Sequence, residues 1–130
     1  MLAVARTARE ELLMSHSDPT VTDPTFYKVM FENDRVRVLE YRDEPGDRTN
    51  LHRHPDSVMV TLSAFRRRVT AGDRSVEVEL GAGEARWVGA QAHVGENIGD
   101  GESHSIFIEL KEPQPGAAPT ADEPLGPSAR

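Results

Sequence analysis

From Tyr27 onward, apolar and polar residues alternate with a period of two, the spacing of a strand that buries one face. Arg35 to Arg42 sets Val36, Val38, Leu39 and Tyr41 among charged residues, and Ser75 to Leu80 alternates Val76, Val78 and Leu80 with Ser75, Glu77 and Glu79. The same reading predicts strands over Tyr27–Phe31, around His52–His54, and over Ser57–Leu62, Phe65–Thr70, Glu84–Val88, Ala92–Glu96 and His104–Lys111. Between them lie turn residues, including Glu44-Pro45-Gly46-Asp47, Ala71-Gly72-Asp73 and Gly81-Ala82-Gly83. Roughly eight or nine short strands with no helix between them predict an all-β antiparallel sandwich or barrel. On strand parity alone, Val58, Val60 and Leu62 are expected to face inward with the histidines.

The pattern is absent at both ends. Residues 1–25 read as an N-terminal extension, in which residues 1–14 can form a short helix and 15–25 carry turn chemistry and read as irregular. Met14 is an alternative start to Met1, and His16 is expected to be solvated. Residues 26–112 form the barrel domain. Residues 113–130 are rich in Pro, Ala, Gly and Ser and are expected to be a disordered tail, having too little apolar surface to offset the entropy of ordering.

Composition narrows the function. A net charge of −7 argues against nucleic acid or an anionic membrane as partner. The one basic run, Arg66-Arg67-Arg68, reads as the wet side of a strand. Without cysteine there are no disulfides and no thiolate ligands, so a bound metal must be held by nitrogen and oxygen. No apolar run reaches the ~18–20 residues that span a bilayer, and Met1–Leu13 lacks a signal-peptide core. A cytoplasmic location is expected.

The chemistry concentrates in His52, Arg53 and His54. Histidines at i and i+2 on a strand share a face, and His93 supplies a third imidazole from another strand. Three such nitrogens make one face of a first-row metal site and leave up to three positions open for other ligands.

Spacing and strand series together resemble the cupin superfamily, whose fold is a double-stranded β-helix or jelly-roll barrel. The resemblance spans about Tyr27 to Glu112. Its first motif, G-x5-H-x-H-x(3,4)-E-x6-G, is matched at Gly46, His52 and His54. The glutamate position falls on Val58 or Met59, and the closing glycine is missing. Its second motif, G-x5-P-x-G-x2-H-x3-N, is met at Gly83, His93 and Asn97, with Gly89 in place of proline, Gln91 in place of glycine and a spacer one residue short. Stretches 32–43, 45–62, 95–99 and 107–113 also resemble small single-domain cupins associated with β-alanine degradation. The resemblance implies a divalent metal on His52, His54 and His93, Fe(II) first, with Zn, Mn or Ni as alternatives. It also implies a homodimer.

A site of three neutral ligands carries one more positive charge than one with a carboxylate, which favours anionic ligands that chelate. Together with this preference, the resemblance implies a metal-dependent dioxygenase-like protein acting on a small carboxylate or dicarbonyl metabolite. A non-catalytic metabolite- or metal-binding accessory or sensor protein is one alternative; a metal-dependent isomerase or hydrolase is another. Gln91 is a candidate fourth ligand, or a group orienting bound water. His104 is a candidate acid–base group and Tyr41 a candidate donor at the pocket rim. Asp56 reads as a turn carboxylate, Glu96 as an outward ion-pair partner, and Met59, Phe65, Trp87 and Phe107 as packing residues.

Overall fold

The computed structural model describes residues 17–112 and 125–128. The expectations for residues 1–16, the choice of start and His16 included, and for residues 113–124 and 129–130 lie outside the described residues. Nine strands follow in chain order: β1 (Tyr27–Glu32), β2 (Val36–Asp43), β3 (His52–His54), β4 (Ser57–Thr61), β5 (Phe65–Ala71), β6 (Arg74–Leu80), β7 (Ala85–Val88), β8 (Gln91–Asn97) and β9 (Ser103–Leu110). They form a five-stranded sheet ordered β1-β2-β9-β4-β7 and a four-stranded sheet ordered β3-β8-β5-β6, with every pairing antiparallel. This is the all-β antiparallel arrangement the alternation predicts, in the jelly-roll form the resemblance implies. No described helix is long and apolar enough to cross a membrane.

Residues 17–25 differ from the irregular reading. Pro19–Thr22 forms one helical turn, α1, with Asp18 as its N-cap accepting from Thr20 N at 2.8 Å and Pro19 in the first turn. Proline there loses no helical hydrogen bond, and a capping carboxylate satisfies a free amide. Turn chemistry and a capped single turn use the same residues, so composition could not separate them.

Two apolar clusters make the core. Tyr27, Leu39 and Tyr41 form one, Met59, Phe65 and Val88 the other, and Phe107 packs against both. The inward residues of β4 are Ser57, Met59 and Thr61, so Val58 and Val60 face out, contrary to the parity reading, and Leu62 is exposed. Pro55 and Asp56 lie between β3 and β4, which belong to different sheets, and the histidine parity does not carry across that step. On β9 the inward set is Ser103, Ser105 and Glu109, with Phe107 in the core, while Ile106, Ile108 and Leu110 take the outer parity.

Candidate metal centre

Strand β3 places His52 and His54 on the inner face, 1% and 0% exposed, with Arg53 outside. Strand β8 pairs His93 directly with His52 and Gln91 with His54. One ring nitrogen from each of the three histidines lies within 4.8 Å of the others. The leading glycines of the two motifs, Gly46 and Gly83, take φ of 89° and 78°, which a side chain would resist.

The partners behind the rings fix which nitrogen faces inward. His52 Nδ1 lies 2.8 Å from the Asn50 carbonyl, which can only accept, so Nδ1 carries the proton. His93 Nδ1 lies 2.7 Å from Gln91 Oε1; the same oxygen accepts from the Gly126 amide, which identifies it as oxygen, so this Nδ1 also donates. His54 Nδ1 donates to Glu109 Oε2 at 3.1 Å. All three rings therefore present a bare Nε2 to the centre. Tyr27 Oη lies 3.3 Å from Nε2 of both His52 and His54. Its single proton serves one lone pair at a time, and His93 Nε2 has no donor among the described residues. Converging lone pairs of this kind fit a divalent cation, and imidazole suits several first-row metals.

Burial holds the rings neutral. It lowers the pKa of His52, against the pull of the Asn50 carbonyl and Asp23, and it lowers those of His54 and His93 further, where the neighbouring rings also oppose the positive form. Burial raises the pKa of Glu109, against the pull of Arg37, whose Nη2 sits 2.8 Å from Glu109 Oε1 and also 2.8 Å from Asp18 Oδ2. A chain of contacts thus runs from the cap of α1 through Arg37 and Glu109 to His54. On the other side, Asp23 Oδ2 lies 3.8 Å from His52 Nδ1, and its Oδ1 accepts from Asn50 N at 2.9 Å.

A cavity of about 50 Å³ opens beside the histidines, lined mainly by apolar side chains that include Met59, Val69, Val88 and Phe107. At ~10–15 Å³ per water site, it holds a few waters or a ligand of a few heavy atoms. Met59, at the second of the two possible glutamate positions, lines it; Val58, at the first, faces away. Arg67 also lines it. Its Nη1 donates to Asp43 Oδ2 at 2.7 Å and Ser103 Oγ at 3.0 Å, and its Nη2 to Tyr41 Oη at 3.0 Å. Two of the five guanidinium N–H groups therefore have no acceptor among the described residues. A Cβ at Gly95 would lie 2.8 Å from Nη2, so glycine there makes room for the guanidinium.

Other sequence candidates are placed as follows. Gln91 Oε1 is engaged by His93 and Gly126, so it sits behind His93 and does not face the converging Nε2 atoms as a fourth ligand would. Tyr41 is 3% exposed and donates to Asp43, which places it in the pocket interior and not at the rim. His104 lies on the outer face of β9, 2.8 Å from Glu40 Oε2, away from the pocket. Arg66 and Arg68 are exposed as read, whereas Arg67 turns inward. Asp56 accepts from Ala90 N at 2.8 Å, Glu96 pairs with Arg68 at 3.4 Å, and Trp87 is 37% exposed. Sequence reading missed Asp23, Tyr27, Arg37, Asp43 and Glu109. Only Glu109 left a signal, as a charged residue opposite the isoleucines of β9.

No family model matches the chain, and no curated protein matches it. Solved structures do. A cupin domain from Bordetella pertussis Tohama I is 31% identical, with 66% of this chain and 92% of that one covered and a TM-score of 0.62. The chain belongs to the cupin superfamily. An RmlC-like cupin with a double-stranded β-helix fold from Methanocaldococcus jannaschii shares the fold at 10% identity and TM-score 0.54, over 65% and 77% of the two chains. The polyketide cyclase RemF from Streptomyces resistomycificus does so at 17% identity and TM-score 0.53, over 66% and 64%.

Proposed function

We propose that this cupin is a metal-dependent oxygenase acting on a small carboxylate or dicarbonyl metabolite, with Fe(II) on His52, His54 and His93. The observation that carries this reading is the set of three bare Nε2 atoms with a thioether, Met59, lining the cavity at a carboxylate position. A divalent ion bound there would supply Lewis acidity and, as iron, dioxygen activation. With only neutral ligands the centre keeps the full charge of the ion, so an anionic, chelating ligand is favoured. Arg67 adds a cation to the same cavity, partly balanced by Asp43. The apolar wall orients the rest of a small molecule and excludes water. Tyr27 is placed to donate its proton to a ligand atom once its histidine partners are engaged.

Within this reading, no acid–base pair is needed in the pocket. A hydrolase or isomerase would use one, and His104, the sequence candidate, faces outward. The test is oxygen uptake by iron-loaded protein across a panel of small carboxylates and β-dicarbonyls. Substrate-dependent uptake, lost in His93→Ala, supports the oxygenase; ligand binding without uptake by any of them favours the accessory or sensor reading.

A homodimer belongs to the same proposal. On the outer face of the five-stranded sheet, Val38 pairs with Ile108, Ile108 with Val58, and Val58 with Trp87, giving an apolar row across four strands. Ile108→Arg is expected to yield monomer by light scattering if copies pair there.

A further inference from the structure

The segment Leu125–Ser128 lies against the barrel beside the metal centre. Within a tail expected to be disordered, Leu125 and Gly126 are buried. The Ser128 amide donates to Trp87 O at 2.8 Å, Pro127 lines the cavity, and a Cβ on Gly126 would lie 3.5 Å from Val69 Cγ2. The Gly126 amide donates to Gln91 Oε1 at 2.7 Å, the oxygen that also receives the proton of His93 Nδ1 at 2.7 Å. Gln91 Nε2 donates to Gly89 O at 3.0 Å.

We infer that Leu125–Ser128 is a positioning element of the metal centre. One amide oxygen accepting from two fixed donors, with its nitrogen tied to Gly89, has its plane and sense determined. An oxygen so held accepts from Nδ1 of His93 and keeps Nε2 bare toward His52 and His54. Without the Gly126 amide, Gln91 keeps only the Gly89 carbonyl to distinguish its nitrogen from its oxygen, and a turned amide would offer N–H to Nδ1 and favour the wrong tautomer. Groups behind a metal-binding histidine commonly change metal affinity 10–100-fold when removed. Pro127, as part of the cavity wall, also limits ligand size. The metal part of this inference rests on the proposed three-histidine site; the link from tail to Gln91 to His93 stands on geometry alone.

The experiment compares the full chain with one ending at residue 124, with Gly126→Ala in the full chain as a milder variant, since Gly126 has φ +73°, a conformation a side chain strains. Two readouts are taken: the His93 Nδ1–H resonance of metal-free protein, and the rate at which a chelator removes Co(II). The shortened chain is expected to lose or broaden that resonance and to release Co(II) ~10-fold faster. A synthetic peptide of residues 119–130 added in trans should restore both. An unchanged resonance and release rate in the folded shortened chain would overturn the inference; if that chain does not fold, the same result in Gly126→Ala does so. A full chain that binds no Co(II) would remove the metal reading, and the metal-free resonance would still decide the tail's role.

Discussion

Glu109 Oε2 lies 3.1 Å from His54 Nδ1, so this buried carboxylate stands behind a histidine and not among the converging Nε2 atoms. From there it polarises the ring and fixes the tautomer, while its own charge is balanced by Arg37 at 2.8 Å. Glu109→Gln can still meet His54 but removes the charge. Metal affinity, read by chelator competition, is expected to fall by about tenfold or more with the fold intact.

The carboxylate missing from the metal position can be put back, and the inward parity of β4 says where. Met59→Glu is expected to strengthen divalent-ion binding and weaken binding of an anionic probe such as azide, since the new ligand neutralises part of the ion's charge. Val58→Glu, on the outer face, is expected to leave both unchanged. Titration of both variants with Co(II), then azide, checks the pair; equal behaviour would contradict the assignment of Met59.

The stability of the metal-free protein should fall as the solution becomes acid. His54 and His93 titrate at about 6.5 when unfolded and well below that when folded. Below 6.5 the unfolded chain therefore binds more protons, so their contribution is complete above 6.5 and is lost as pH falls toward the folded values. Glu109, raised by burial, has the opposite slope above its ordinary 4.5 and offsets part of this. Urea midpoints of metal-free protein are expected to be lower at pH 5.5 than at pH 7.5, with a steeper loss when metal is present, because protons then compete with the ion.

Arg67 and Asp43 are a buried pair, 12% and 0% exposed at their side chains. Arg67→Met leaves Asp43 charged and buried, with Asn97 Nδ2 at 3.1 Å and the Tyr41 hydroxyl as its remaining partners. A loss of ~3–5 kcal/mol is expected. Adding Asp43→Asn should recover much of it, a coupling that a double-mutant cycle in urea measures directly.

Much of this was legible in residue order. Period-two alternation places every strand to within a residue or two, and the spacing of Gly46, His52, His54 and His93 marks the centre. Facing was harder. Val58, Val60, Ile106 and Ile108 are the most apolar row in β4 and β9, and an apolar row ordinarily marks the core; here it lies outside, while of the inner row Met59 and Ser105 line the pocket and Glu109 backs His54. Arg67 was misread for the same reason, because a cation facing inward is recognisable only with its partner Asp43, 24 residues away, in view. Gln91 has the right parity for a ligand, and its contacts with His93 Nδ1 and the Gly126 amide, not visible in residue order, show that its oxygen is taken.

Metal stoichiometry decides whether His52, His54 and His93 form a metal centre. Anaerobically purified protein titrated with Fe(II), Zn(II) or Co(II) should bind one ion per chain, and His52→Ala with His93→Ala should abolish that binding while the fold persists. A chain that binds no ion, or a double variant that still binds one per chain with unchanged affinity, would contradict the account.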